Sequence, residues 1–194
     1  MILTLLKDQT QHLHERIERT VDLPSRLGSV DAYTGLLARF YGFYAPLEAR
    51  LAAVDGYESV GLDLMERRKS PLLRADLEAL GWTLRSVDAL PRCPALPTIG
   101  GIPEALGCLY VMEGATLGGQ IIRRQAASRL GLGPSSGCSF FSAYGEQVGP
   151  MWRAFRAALA DYATGAPGAQ ARVLDAASDT FARLDLWLAG GVAC

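Results

Sequence analysis

Three glycines interrupt the longest apolar stretch of the chain. The stretch covers about residues 103–130 with helical spacing, and its segment EGATLGGQ contains Gly114, Gly118 and Gly119. Each glycine in a helix interior costs about 1 kcal/mol relative to alanine, so three of them require a compensating interaction. Close packing against another helix, a kink, or a flat ligand lying against the backbone would each supply one.

Helical periodicity also dominates the rest of the chain. Apolar residues recur every three or four positions, and no convincing run alternates with the period of two that is typical of strands. The predicted helices cover residues 2–20, 30–53, 71–80, 102–130, 139–163 and 169–189. Turn-forming segments separate them: DLPSRLGS, residues 55–61, LPRCPALPTIGG, GLGPSSG and TGAPGA. Ser29 and Asp31 suit the start of the second helix, and Gly131 suits the end of the glycine-rich one. With no linker or internal repeat, residues 1–194 are predicted to form one all-α domain, a helical bundle.

Composition restricts the partners of such a bundle. Hydrophobic residues make up 49% and charged residues 20%, as in a soluble globular protein. The net charge of -1 offers no basic surface for nucleic acid, so we expect no such partner. Charged residues interrupt every apolar run before the roughly 20 residues needed to cross a bilayer, so no membrane partner is expected either.

Cysteine usage and the first residues indicate the compartment. The segment MILTLLKDQTQ lacks the features of a secretory signal. The cysteines are scattered without metal-binding spacing, which favours free structural thiols and a cytoplasmic location. They are Cys93, Cys108, Cys138 and Cys194.

The first predicted helix places a histidine at the border of its apolar face. At about 100° per residue, one core-facing stripe is formed by Leu3, Leu6, Leu13, Ile17 and Val21. His12 and His14 lie about 160° apart around the axis and cannot serve one pocket. His12 is predicted to be solvated. His14 lies at the edge of the stripe, near Lys7 and Glu18.

This edge has two interpretations. A partly buried neutral imidazole can bind a metal through one nitrogen and donate from the other to a carboxylate, and Glu18 is one turn after His14. Lys7 could then contact an anionic group of the same ligand. The alternative is a boundary histidine hydrogen-bonded to a neighbouring glutamate. Two histidines cannot form a closed zinc site here, but one suffices for haem iron, and haem is flat enough to explain the glycines.

Two segments together resemble a known family. LKDQTQHLHERIE (6–18) resembles the proximal helix of the haem oxygenase family, and YVMEGATLGGQIIRR (110–124) resembles its distal helix. The bacterial branch associated with phytochrome chromophore synthesis is the most similar. The similarity extends over most of the chain, including RLGLGPSSGCSFFSAYG and TFARLDLW. It implies a haem oxygenase-like helical bundle with haem between a proximal N-terminal helix and a glycine-kinked distal helix.

The resemblance also implies a reaction. Haem would be both substrate and cofactor, and O2 would cleave it at a meso carbon to biliverdin, carbon monoxide and ferrous iron. An external electron donor such as a ferredoxin or a flavin reductase would be required. A bacteriophytochrome is one candidate acceptor of biliverdin, and iron acquisition is the competing physiological purpose. The carbon that is cut, the electron donor and the oligomeric state are not specified by the sequence.

By the same resemblance, specific residues acquire roles. His14 would be the proximal iron ligand and Glu18 its hydrogen-bond partner. Gly114 and Gly118 would line the distal face, with Gly119 allowing the same bend. The candidates for the haem carboxylates are Lys7, Tyr110, Arg153 and Arg156, and Phe181 could cover an edge of the porphyrin. Arg153 and Arg156 equally suit a solvated helix face, and Phe181 equally suits the core.

Ala115 departs from the family pattern. Better-known animal members have an aspartate directly after the first distal glycine, where its carboxylate helps to organise distal water. Backbone carbonyls near Gly114 and ordered water could substitute for it. Glu113 is not assigned that role, because adjacent residues on a helix point about 100° apart.

Other functions stay open at this point. Arg123 and Arg124 match a basic pair of the family where a negatively charged electron donor could dock, but they also suit an exposed helix end. A non-catalytic haem carrier or sensor would need the same His14 and pocket. A thiaminase-like or quinone-cofactor enzyme would share the general architecture, because a fold does not define a function.

Overall fold

A computed structural model describes residues 1–190 of the chain. In that range every regular element is helical, as the periodicity predicts. The α-helices are α1 (Ile2–Val21), α2 (Leu23–Arg26), α3 (Val30–Ala52), α4 (Ser70–Ala79), α5 (Leu84–Asp88), α6 (Ile102–Leu130), α7 (Ser139–Ser142), α8 (Val148–Gly165) and α9 (Gln170–Leu188). Short 3-10 turns lie at Glu58–Val60, Met65–Arg67, Gly145–Gln147 and Pro167–Ala169. Cys194 lies outside the described residues, whereas Cys93, Cys108 and Cys138 are buried free thiols.

The predicted starts and stops of the long helices are largely confirmed. The hydroxyl of Ser29 accepts a hydrogen bond of 3.1 Å from the backbone N–H of Ala32 at the start of α3. Gly131 ends α6 with a positive φ of 68°, a backbone conformation that glycine adopts without strain. The stripe of α1 is also confirmed, since Leu6, Leu13 and Val21 are buried.

The prediction of one helix over residues 139–163 is wrong. The structure has α7, a 3-10 turn and α8 in its place, because Ala143 has a φ of 37° and Gly145 a φ of 60°. A residue with positive φ cannot continue a right-handed helix. The one-turn helices α2 and α5 were not predicted, since single turns are too short to show apolar periodicity.

The central helix of the bundle is α6, and α9 packs against both α6 and α1. At Gly107, α6 lies directly against the backbone of α9. A Cβ atom on Gly107 would lie 2.5 Å from the carbonyl oxygen of Val173 and 2.7 Å from the Cβ of Ala176. Gly107 was not singled out from the sequence, yet its missing side chain allows this contact between backbones.

The sequence predicted that no segment could span a membrane, but one helix of the described residues is long and apolar enough by length and composition alone. This helix, α6, has a mean hydropathy of 1.2 over its best window. In the fold, however, Leu106, Leu109 and Met112 of this helix are buried in the bundle. The apolar content of α6 is thus accounted for by its place in the core.

Candidate active site

Residues of α1 and α6 line one cavity of about 810 Å³. This volume is in the range of small-molecule and cofactor sites. The contribution of α1 includes Lys7, His14 and Glu18, and that of α6 includes Tyr110 and the three glycines of EGATLGGQ. Aromatic residues complete the walls: Phe40, Tyr44, Phe140, Phe141, Trp152 and Phe181. The fold therefore brings together the two segments that stood apart in the sequence.

His14 stands on the α1 wall of the cavity. Its Nδ1 atom lies 3.7 Å from Oε1 of Glu18, too far for a hydrogen bond but close enough for one after a small rotation. The imidazole also meets the ring of Phe181 edge to face. Its side chain is 55% exposed, more than the sequence suggested, because the cavity lies beside it. His12 is exposed, as expected, and does not line the cavity.

The glycines on the opposite wall differ in what they leave open. A Cβ atom on Gly118 would meet nothing within 4 Å, and one on Gly114 would lie 3.7 Å from Trp152. Gly119 is buried, and its Cβ atom would lie 3.0 Å from the carbonyl oxygen of Phe141. Gly118 thus opens the cavity, whereas Gly119 lets the α7 backbone approach. Since α6 is helical throughout Ile102–Leu130, its kink stays a prediction.

The candidates for anion binding lie in different places. Lys7 and Tyr110 line the cavity, and the Tyr110 ring lies 5.7 Å from that of Trp152. Burial raises the pKa of Tyr110, although Thr10 and the charge of Arg156 oppose the shift. Arg153 and Arg156 are exposed on α8 and are not among the residues lining the cavity. The charge of Arg156 thus acts on the phenol of Tyr110, although the Arg156 side chain does not line the cavity.

The basic pair after the distal motif lies outside this cavity. Arg124 is exposed, and Arg123 is half-buried, with an Nε atom that has no hydrogen-bond partner among residues 1–190. Neither residue lines the cavity. Their contact with an electron donor stays a prediction.

A buried charged cluster next to the cavity was missed by the sequence reasoning. Glu113 accepts hydrogen bonds from Arg67 at 2.6 Å, Lys69 at 2.8 Å and the hydroxyl of Tyr144 at 2.7 Å. The side chains of Glu113, Lys69 and Arg67 are at most 5% exposed. A carboxylate inside an otherwise apolar helix was the signal that could have indicated it, because such a group is rarely buried without partners.

The cluster shifts the titration of its members. Burial lowers the pKa of Lys69, and the neighbouring Glu113 carboxylate opposes this. Burial and the same carboxylate raise the pKa of Tyr144, so its phenol stays protonated. Glu48 holds the same segment from α3, since it accepts from the backbone N–H groups of Lys69 and Ser70 and from the Ser70 hydroxyl.

The donor set of the cavity fits haem. Among residues 1–190 no group of three or more His, Cys, Asp or Glu side chains is placed to hold a bare metal ion. A metal there would need to bring most of its ligands with it, and haem iron needs one protein histidine. The cavity has one histidine on a wall, apolar sides and the exposed lysine Lys7, which suit an axial ligand, a porphyrin face and a carboxylate. The fold and site define a helical-bundle protein with a cofactor-sized, largely apolar pocket that contains one histidine.

Comparison with known proteins identifies the family. The profile of the family described as Heme oxygenase matches residues 1–189. The chain therefore belongs to the haem oxygenase family and is a haem-degrading enzyme, as the two helical motifs predicted. Membership implies that it binds haem as substrate and uses oxygen with a reductant partner.

Individual relatives agree with this assignment. The heme oxygenase of Xanthomonas campestris pv. campestris (strain 8004) is 34% identical over 130 residues, which cover 66% of this chain and 72% of the relative. The heme oxygenase of Neisseria meningitidis, studied in NO- and CO-bound forms, superposes with a TM-score of 0.82 at 20% identity and covers 100% of this chain and 94% of that one. The Leptospira interrogans heme oxygenase gives 0.74 at 19% identity, with coverage of 97% and 98%. These structural matches confirm the predicted all-α, haem oxygenase-like fold.

Proposed function

We propose that this enzyme holds haem between α1 and α6, with His14 as the protein ligand of the iron, and opens the ring at a meso carbon to biliverdin. Carbon monoxide and ferrous iron are the other products. The observation that carries the proposal is the cavity itself, which has His14 on one wall and the empty space beside Gly118 on the other. Bound haem supplies the iron that activates oxygen, and its own ring is oxidised.

The residues of the cavity have separate tasks in this proposal. After a small rotation of its side chain, Glu18 accepts a hydrogen bond from Nδ1 of His14 and so fixes the tautomer, while Phe181 limits rotation of the imidazole. Gly114 and Gly118 leave room for a diatomic ligand and force it toward one ring edge. The haem carboxylates pair with cations and donors at the cavity and on α8. These are Lys7, Tyr110, Arg153 and Arg156.

The remaining partners are proposed on general grounds. The electron donor is external, a ferredoxin or flavin reductase, and the basic pair Arg123 and Arg124 suits an acidic surface on it. Biliverdin passes to a bacteriophytochrome, with iron acquisition as the alternative purpose. Buried, unpaired Cys93, Cys108 and Cys138 suit a reducing compartment, which supports a cytoplasmic location.

Hemin reconstitution tests the proposal directly. The purified protein is titrated with hemin, and its visible spectrum is followed in air with ascorbate and catalase. We expect a stoichiometric Soret band that decays as a broad red biliverdin band grows. A stable Soret band, with the iron shown to be reduced, would indicate a carrier or sensor, and absence of any stoichiometric band would exclude the haem site.

A matched pair of variants on α1 tests the ligand. His14→Ala removes the proposed iron ligand, and we expect the histidine-type spectrum to disappear and to return with added imidazole. His12→Ala makes the same chemical change two residues away, on an exposed side chain outside the cavity. Its spectrum should match that of the unmodified enzyme. Equal spectra for both variants would remove His14 from the site.

A further inference from the structure

We propose that Lys69, Glu113 and Tyr144 form a buried proton relay that serves the α6 side of the haem cavity. The inference rests on the proposed function, because it concerns the protons that oxygen chemistry consumes in this cavity. Lys69 is the member that lines the cavity. Glu113 lies directly before Gly114 on α6, and Tyr144 follows α7 and is half-buried.

The distribution of charged groups around the cavity singles out Lys69. The charged or titratable side chains Lys7, His14, Glu15 and Glu18 all line it from α1. On the walls that α3, α6, α7, α8 and α9 form, the described lining residues are apolar, aromatic, small or uncharged polar groups. Lys69 is the one charged lining residue of residues 1–190 outside α1, so protons for the α6 side have a single candidate donor among charged groups.

The hydrogen bonds form a closed triangle with defined directions. Nζ of Lys69 donates to Oε1 of Glu113 at 2.8 Å, to the oxygen of Tyr144 at 2.7 Å and to the carbonyl of Arg67 at 2.6 Å. The Tyr144 hydroxyl in turn donates to Oε1 of Glu113 at 2.7 Å. Lys69 and Tyr144 are therefore in direct contact for proton transfer, and Glu113 holds both.

The charge balance of the cluster favours release of one proton. Arg67 and Lys69 share the single carboxylate of Glu113, while Glu48 is engaged by Arg68 and by the backbone of Lys69 and Ser70. Loss of a proton from Lys69 leaves the neutral pair of Arg67 and Glu113 in a buried place, where a net charge is costly. The lowered pKa of Lys69 agrees with this balance.

The transfer can be written with every proton accounted for. A water molecule in the cavity replaces the Arg67 carbonyl at Nζ of Lys69 and takes one proton, which leaves a neutral amine. The Tyr144 hydroxyl then turns from Glu113 to the amine and gives it its proton, while the Tyr144 oxygen takes a proton from a hydronium ion in solvent, so no phenolate forms. One proton has moved from solvent to the cavity, and all three side chains are restored.

The competing explanation is that the cluster only fixes the segment around Lys69 to α6. Removing Lys69 or Glu113 would not separate the two explanations, because a buried charge without its partner can unfold the protein. Tyr144→Phe is the better variant, since it removes one hydroxyl and leaves the ion pairs of Glu113 intact. Tyr33→Phe is the matched control. Tyr33 is buried, its hydroxyl donates to the carbonyl of Gly137 at 3.0 Å, and it is not among the residues that line the cavity.

The first measurement needs no haem. Lys7 and Lys69 are the two lysines of the chain, so lysine-labelled protein gives two side-chain NMR signals, and Lys7→Arg assigns them. We expect Lys69 to titrate below the ordinary range of a lysine ammonium. We also expect Tyr144→Phe to shift that titration and Tyr33→Phe to leave it in place. A Lys69 that titrates in the ordinary range of a lysine ammonium, or that does not respond to Tyr144→Phe, would overturn the relay.

The second measurement uses the hemin-loaded protein. We expect both tyrosine variants to bind hemin within about twofold of the unmodified enzyme, while Tyr144→Phe slows ring opening roughly tenfold or more and changes its solvent deuterium isotope effect. Equal rates for the two variants would assign the cluster a structural role only. If the unmodified enzyme binds no hemin, the proposed function fails, and the NMR titration still reports separately on Lys69.

Discussion

The imidazole of His14 meets the ring of Phe181 edge to face, with the ring centroids 6.1 Å apart and the planes at 76°. This contact joins α1 to α9. One turn further along α9, Asp185 accepts hydrogen bonds from Arg16 at 2.7 Å and from Thr20 at 2.5 Å. The orientation of the proposed iron ligand is thus set by the neighbouring helix as well as by its own.

Phe181→Leu tests this control of the imidazole. The variant keeps apolar contact but loses the ring edge, an interaction worth about 0.5–1.5 kcal/mol beyond burial. We expect hemin affinity to fall by up to about tenfold, because the imidazole becomes free to rotate away from the iron. A Soret titration measures it, with exposed Leu186→Ala on the same helix as control. Equal affinities for the two variants would show that Phe181 is only a core residue.

Substitution by alanine should have opposite effects on stability at two glycines of α6. Gly118→Ala should raise the free energy of unfolding by up to about 1 kcal/mol, since its Cβ atom enters open space in a helix. Gly107→Ala should lower it by about 1–3 kcal/mol, because its Cβ atom would overlap the backbone of α9. Denaturant unfolding of the haem-free protein measures both. Destabilisation by Gly118→Ala would show that this position is packed rather than open.

A larger side chain at the same position tests the reaction. Gly118→Leu places a branched side chain in the space proposed for oxygen, so we expect ring opening to slow or the biliverdin isomer to change. Gly118→Ala, which adds one methyl group, should behave closer to the unmodified enzyme. Product chromatography and the rate of Soret decay distinguish these results. Unchanged rate and isomer with leucine would move the oxygen site away from Gly118.

The long helices, and the two helix segments that line the cavity, could be predicted from the sequence because both depend on local apolar spacing. His14 and Gly118 were found from their spacing in single helices. Gly107 was missed because its packing partner, Val173 on α9, lies far along the chain. Glu113 was dismissed on the angle between adjacent residues, yet tertiary contacts give it Lys69 and Arg67 as partners. Local residue spacing does not show which distant part of the chain packs beside a given residue.

Lys7 and Arg153 offer a further test among the carboxylate candidates. Both residues are exposed, but Lys7 lines the cavity, whereas Arg153, on α8, does not. We expect Lys7→Ala to weaken hemin binding by about fivefold, because the Lys7 side chain is exposed and a solvated charge pair is worth at most about 1 kcal/mol. Arg153→Ala should change hemin binding by less than about threefold, because its exposed side chain does not line the cavity. A larger effect for Arg153 would support its place at a haem carboxylate.

The start of α6 is joined to α9 by an ion pair with a predicted pH dependence. Arg172 donates to both carboxylate oxygens of Glu104, at 2.5 Å and 2.9 Å. Burial alone would raise the pKa of Glu104, but the hydrogen bonds and charge of Arg172 outweigh it and lower the pKa below its ordinary value of 4.5. A carboxylate with a lowered pKa stabilises the folded state above pH 4.5, and this contribution is lost as the pH falls below it.

Glu104→Gln should therefore lower the Tm at neutral pH and have little effect in acid. Because the Arg172 side chain is 52% exposed, the pair is screened, and the expected loss is at most about 1 kcal/mol. Thermal unfolding at about pH 7 and about pH 3.5 measures the difference between variant and unmodified protein, which should shrink at the lower pH. The control is Glu58→Gln, an exposed glutamate with no ion pair among residues 1–190. A Tm difference for Glu104→Gln that is the same at both pH values would mean that the charge of this carboxylate does not stabilise the contact between α6 and α9.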